Sequence, residues 1–539
     1  MNNNRQLFLA SFFTLIAAGV LFGLRNTILS VWETQFHFTK GDLGVITGFG
    51  LTGFGFTIIS CSLIADKVGY KALMVLAFLL HAASAIVIML AAPANGAINN
   101  GAFWCLCIGN FMFSLANGVC ESVINPLVAT LYPNQKTHYL NILHAGWPGG
   151  LVLGTILAYC FCSRDATIVE LPWELTVAFF LPPVLYYGYV TITHKFPISE
   201  ARAAGVSFGT MLGEFASPIL VMLLLLHAMV GYVELGTDSW ITNIQQAVIH
   251  EKAMLVFIWT SSIMFVLRFF AGPIVERINP LGLLFVSGLL GASGLFWLGS
   301  TTEGLVVIFA ASTVYGLGKT FLWPTMLGVV GERFPKGGAL TMGAMGGIGM
   351  LSAGLLGGPG IGYEQDYYAS QQLSQESPQV FERYVYKEPY SVAKQEYVDK
   401  KAQVDGQWPA GYGEVVEKER PKGFLFFPKV DGLDGGKVGG LKDKIANLDK
   451  KEKHHEDIKS EDRLTDLEQS DKGIVLGAEI YGGRMALKLT AIVPALMAVG
   501  YLILVLYFRA KGGYQAEVLH GAKPVGEHYT GGVEGPVEA

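Results

Sequence analysis

Apolar runs of about twenty residues, each closed by a short cluster of charges, glycines or prolines, recur along this 539-residue chain. An α-helix rises about 1.5 Å per residue, so a run of about 20 apolar residues crosses the hydrocarbon core of a bilayer. The pattern predicts helices over 6–32, 43–65, 72–92, 103–131, 140–162 and 173–193, then over 218–243, 254–275, 281–300, 305–330, 340–358 and 485–508. Between 362 and 483 the pattern breaks: charges become dense, apolar runs shorten, and glycines punctuate 432–440. This stretch reads as a soluble insertion, with a solvated charged helix over 441–469.

These elements divide the chain into an amino-terminal six-helix bundle (1–200), a linker (201–214), helices 7–11 (215–361), the insertion (362–483), helix 12 (484–511) and a tail (512–539). The expected fold class is therefore an all-α membrane protein with twelve transmembrane helices in two six-helix bundles. With the amino terminus inside, the inner loops and tails carry Arg5, Lys67, Lys71, Lys136, Lys195, Arg202, Arg277, Arg333, Lys336, Arg509 and Lys511. The short outer loops carry Lys40, Arg164 and Lys252. That asymmetry obeys the positive-inside bias and puts both termini in the cytoplasm and the insertion outside.

Composition agrees, with 51% hydrophobic and only 15% charged residues. The net charge of -5 and the interleaved acidic residues give no nucleic-acid footprint. All six cysteines lie in or beside apolar runs and read as small packing residues without disulfide or metal spacing. The pair His454 and His455 sits in so charged a stretch that it reads as solvated. The first run holds Arg25 and Asn26 and lacks a small-residue cleavage site, so it reads as a retained helix.

Internal repetition supports two related halves. GLRNTILSVW (23–32) pairs with GYVELGTDSW (231–240), the loop SLIADKVG with GPIVERIN, and GVCESVINP with GLGKTFLWP, in one order and at an offset near 200 residues. The last pairing sets Glu121 opposite Lys319, each five residues ahead of a proline.

A charge at the bilayer centre costs about 2.5–3.5 kcal/mol or more, so each one calls for a partner, a wet cavity or a function. Six qualify: Arg25, Glu121, Glu234, Asp238, Arg268 and Lys319. Around them are Asn117, Asn125, Asn141, His144, Trp147, Trp240 and Trp323. Asn117, Glu121 and Asn125 are spaced by four and share a helix face. Amides and carboxylates beside aromatic rings suit a hydroxylated ring, whose faces stack while its rim takes hydrogen bonds. No nucleophile–base–orienter set and no phosphate loop appears, which argues against an enzyme.

The loop SLIADKVGYK resembles the helix 2–3 signature of the major facilitator superfamily, keeping Asp66, Lys67, Gly69 and Lys71. ESVINPLVATLYP (121–133) is similar to the helix 4 motif of the fucose:proton symporter family within it. LNILHAGWPGG resembles that family's helix 5 motif in part, with Tyr139, His144 and Trp147 departing. LRFFAGPIVERI and WPTMLGVV resemble its helix 8 and 10 segments, with Arg268, Pro324 and Thr325. The family's acidic residue in helix 1 has no counterpart in Arg25-Asn26-Thr27.

The resemblance implies a secondary transporter that imports a sugar or polyol by alternating access, in the inner membrane and as a monomer. It takes no cofactor, the proton gradient supplying the energy. Glu121 and Lys319 are the expected proton-coupling pair. Asn117, Asn125, Asn141, His144, Trp147, Glu234, Asp238 and Trp323 are expected to bind substrate. Asp66, Lys67, Gly69, Lys71, Arg268, Glu276 and Arg277 form the expected conformational latch. Export or uniport of an anionic or drug-like molecule, favoured by Arg25 and Lys319, and a nutrient sensor signalling through the insertion are the other functions compatible with these residues.

Overall fold

The computed structural model describes residues 3–36, 38, 40–95, 100–162, 168–249, 253–301, 304–391, 415–419, 423–453, 458–459, 463–517 and 519. Among these, ten stretches are long and apolar enough to cross a membrane, and with the shorter apolar helix Ala253–Arg268 and the helix Lys40–Val68 they make up the twelve long elements of the bundle. They are α1 (Asn3–Phe36), α2 (Lys40–Val68), α3 (Tyr70–Met89), α4 (Gly101–Leu131), α5 (Lys136–Phe161) and α6 (Trp173–Thr193). The second six are α7 (218–249), α8 (Ala253–Arg268), α9 (280–300), α10 (Leu305–Arg333), α11 (Pro335–Glu376) and α12 (Asp466–Ala510).

Glycine sets several of the closest helix approaches. A Cβ on Gly19, Gly23, Gly150 or Gly154 would meet backbone of the facing helix at 2.2–2.5 Å, so α1 and α5 touch through their backbones. Small residues at such a seam take the place that burial of apolar side chains holds in water, since lipid tails are as apolar as leucine.

Five spans carry a proline or an irregular turn in their interior. Pro126 lies inside α4 and Pro148 inside α5. α10 breaks between Lys319 and Leu322, just before Pro324. α7 contains a π-turn over Tyr232–Gly236 that carries Glu234. It packs on a second π-turn, Ala353–Gly357 in α11, through Gly236 and Gly357, where a Cβ on either would come within 3.0 Å of the other's Cα. After α8 the chain makes a short helical segment over 271–278, and Asn279, at φ 54°, turns it into α9.

Helices 11 and 12 do not stop where the apolar runs end. α11 continues to Glu376 and α12 begins at Asp466, so the expected boundaries at 361 and 484 fall inside continuous helices. The two extensions lie against each other, with Gly482 close to the Gln365 carbonyl and to Ala369. Leu373, Val380, Tyr384, Val438, Leu441, Val475 and Ala478 form a small apolar core beyond the bundle. The expected charged helix over 441–469 is instead a helix over Gly435–Lys453, which buries Val438 and Leu441 in that core. Residues 466–469 belong to α12, whose start carries a capping box between Thr465 and Glu468. Two short strands, β1 (Lys387–Ser391) and β2 (Val415–Glu419), pair antiparallel. His454 and His455 lie outside the described residues.

Candidate functional site

The α4 face predicted from the four-residue spacing is buried, with Asn117, Glu121 and Asn125 between 2% and 4% exposed. Asn125 Nδ2 donates to Glu121 Oε2 at 2.6 Å, and Asn125 Oδ1 meets His144 Nε2 of α5 at 2.8 Å. Asn117 Oδ1 meets His81 Nε2 at 3.1 Å, and His81 Nδ1 meets the Tyr187 hydroxyl at 2.8 Å. His81 was missed at the sequence level, although a histidine in the otherwise apolar run 72–92 is itself a signal.

In the second half, Arg268 ends α8 and is 1% exposed. Its NH2 donates to Glu234 Oε1 at 2.9 Å, its Nε to the Thr320 carbonyl at 2.7 Å, and its NH1 to the His144 carbonyl at 2.7 Å. The last bond joins α8 to α5 and hence one half to the other. Arg268, expected in the latch, lies at the centre of the polar cluster and bonds across the halves there.

Lys319 likewise differs from its expected place. It donates to Asp238 Oδ1 of α7, so it neutralises a carboxylate of its own half and not Glu121. The repeat register put Lys319 and Glu121 at equivalent helix positions, but equivalence across a pseudo-two-fold says nothing about which side chains touch. The π-turn in α7 holds Glu234 and presents Asp238 one turn further on, and this supplies both cations with partners.

The tryptophans are also placed. Trp323 lies 4.6 Å from His227, centroid to centroid, and against Gly349, while Trp147 lies 5.0 Å from Phe22. Trp240 donates to the Gly358 carbonyl. His227, fully buried in α7 with neither ring nitrogen partnered, is a second residue that sequence reasoning overlooked. Unpartnered buried atoms also occur on Asn117 (Nδ2), Asn141 (Oδ1) and Glu234 (Oε2).

Further contacts between halves gather at one end of the bundle. Asn141 Nδ2 donates to Thr325 Oγ1, Thr137 Oγ1 to Glu332, and Lys136, which also meets Glu200 of its own half, to the Gly331 carbonyl. Asp66 Oδ2 accepts the Ala339 backbone N–H at 3.2 Å, at the start of α11, where Gly338 takes φ 52°. His138 accepts the Gly272 N–H. Lys71 instead ties α3 to the end of α6 through the Ile192 and His194 carbonyls, within one half. Gly69, at φ 94°, turns α2 into α3; Lys67, Glu276 and Arg277 lie in these end loops, with Glu276 and Arg277 exposed.

Two helical halves meeting along a buried polar seam, closed at one end, define a polytopic membrane transport protein rather than an enzyme. Residues 7–358 match the family model of the Major Facilitator Superfamily, and the chain belongs to that superfamily of transporters. Solved structures with the same fold include the fucose:proton symporter FucP in its outward conformation, at TM-score 0.55 and 17% identity over 68% of this chain and 93% of that one. The proton:xylose symporter XylE, bound to 6-bromo-6-deoxy-D-glucose, aligns at TM-score 0.54 and 14% identity over 66% and 86%. A bacterial homologue of the human lysosomal transporter Spinster, inward-facing and unoccupied, aligns at TM-score 0.58 and 14% identity over 96% and 99%. At these identities the likeness concerns the fold. No curated protein matches the chain by sequence.

Proposed function

We propose that this transporter imports a sugar or related polyol by alternating access, driven by an inward proton gradient. It works as a monomer in the cytoplasmic membrane, with both termini inside and the insertion outside. The observation that carries this reading is a pair of polar links that meet at His144 and connect two buried carboxylates of opposite halves. They run from Glu121 through the Asn125 side chain to the His144 ring, and from the His144 carbonyl through Arg268 to Glu234. A proton taken up at Glu121 is thereby linked to the residue that joins the halves.

The unpartnered atoms on Asn117, Asn141, His227 and Glu234 suit a ligand rich in hydroxyls, because a buried polar atom left without a partner costs about 1–3 kcal/mol. Trp147 and Trp323 offer faces for the ring to stack on. With the positively charged loops inside, the end where the contacts between halves gather is cytoplasmic. Testing begins with a thermal-shift screen of sugars and polyols on purified protein. Uptake of the best binder into proteoliposomes, with and without an inward proton gradient, follows. Accumulation that requires the gradient supports the reading, and flux indifferent to it refutes the coupling.

Export or uniport of an anionic compound draws on one specific observation. Arg25 lies 4.4 Å over the Phe22 ring, and its buried Nε has no partner. Selective stabilisation by organic anions in the same screen favours that function, and stabilisation without any flux favours a sensor.

A further inference from the structure

A proline inside a helix leaves unpaired the carbonyl four residues before it, because it has no N–H to donate. Pro148 does this to the His144 carbonyl in α5, and Pro324 does it to the Thr320 carbonyl in α10. The two prolines lie in different halves of the bundle. One guanidinium answers both: Arg268 gives NH1 to His144 O and Nε to Thr320 O, each at 2.7 Å. Its remaining arm reaches Glu234 Oε1, while Glu234 Oε2 is buried and unpartnered.

We propose that Arg268 is a positioning residue that locks the two halves by capping the proline-freed carbonyls of His144 and Thr320, and that it releases the lock by moving NH1 onto Glu234 Oε2. The three acceptors explain why arginine is needed there. A guanidinium carries five donors in a fixed planar fork and can serve three acceptors in different directions, whereas an ammonium is a compact charge on a flexible stem. They also explain the destination. When the halves part, the Thr320 bond stays, since α8 and α10 belong to the same half. Only the His144 bond must break. A buried charged donor cannot be left empty at that moment, and the unpartnered second oxygen of a carboxylate it already holds is an acceptor that completes a bidentate pair. The inference takes its purpose from the alternating-access reading, but its test observes structure and not flux.

Hydrogen exchange read by mass spectrometry on the purified full-length chain provides that test. Pro148→Ala restores an N–H aimed at the His144 carbonyl and leaves Arg268, Glu234 and Thr320 in place. Exchange over 137–141 and 325–342, where the closed-end contacts lie, should accelerate about tenfold, the equivalent of losing one charge-assisted hydrogen bond. Arg268→Lys should act on the same peptides. Should that variant fail to fold, Pro148→Ala still decides the matter. Pro126→Ala removes an intrahelical proline whose freed carbonyl, on Ser122, is not held by Arg268, and it should leave those peptides unchanged. Unaltered exchange in Pro148→Ala overturns the proposal. So does an equal effect from Pro126→Ala, or a uniform rise along all helices. Absence of substrate uptake together with the selective acceleration would leave the lock standing and refute the transport reading alone.

Discussion

The Lys319 ammonium lies 2.5 Å from Asp238 Oδ1, with the lysine side chain fully buried and the aspartate 13% exposed. A buried pair of this kind adds little net stability over an apolar pair of the same shape, but losing one partner strands a charge at a cost of about 3–5 kcal/mol. Lys319→Met should therefore lower thermal stability sharply, and the double variant Lys319→Met/Asp238→Asn should recover most of the loss. Thermal unfolding of purified protein in detergent checks this. A double variant as unstable as the single one would mean that the lysine matters through its packing on Tyr315, 5.2 Å from the ammonium, and not through its charge.

Glu121 has an asparagine, not a cation, as its neighbour at hydrogen-bond distance, so taking up a proton there breaks no ion pair. Glu121→Gln keeps the size and one acceptor but can no longer exchange a proton. The expected outcome is loss of gradient-driven accumulation with counterflow of labelled for unlabelled substrate preserved. If the variant concentrates substrate as well as the wild type, the coupling carboxylate is Glu234 or Asp238.

Asp66 Oδ2 sits on the first turn of α11, where its charge meets the exposed N–H groups of the helix start. Such a contact is worth about 0.3–1 kcal/mol near a surface and exists only while this end is closed. Asp66→Asn should alter turnover about two- to fivefold, while the substrate Kd stays within a factor of two. Kd by calorimetry and turnover in proteoliposomes separate the two effects. A change in Kd with constant turnover would place Asp66 in binding.

The helical extensions of α11 and α12 brace each other through Gly482 and Ala369. Cutting at 362 and 483 would remove that brace, whereas replacing 377–464 by a flexible linker of about ten residues keeps it. Loop closure changes slowly with length, about 0.6 kcal/mol per doubling, so the shortened chain should fold and transport. Expression at normal levels with no flux would assign gating or substrate delivery to the removed segment.

Much of this protein is legible in one dimension. The number of spans, the two halves and the residues that carry charge into the membrane follow from hydropathy and repetition, because a bilayer demands long apolar helices and penalises each exception. Even the helix face of Asn117, Glu121 and Asn125 follows from periodicity alone.

Partner choice does not follow from it. Whether Lys319 faces Glu121 or Asp238 depends on the rotation and tilt of packed helices, and a π-turn at Tyr232–Gly236 resets that rotation in α7 without a mark in the hydropathy. The same holds for Arg268, which the sequence places inside a helix while packing carries its guanidinium to two carbonyls freed by prolines 176 residues apart (324 − 148). Nor could hydropathy find the ends of α11 and α12, since past the membrane they are held by each other and by a small apolar core. Sequence thus determined which groups had to be satisfied inside the membrane, and tertiary packing decided which of them satisfy one another, because that depends on distances between segments far apart in the chain.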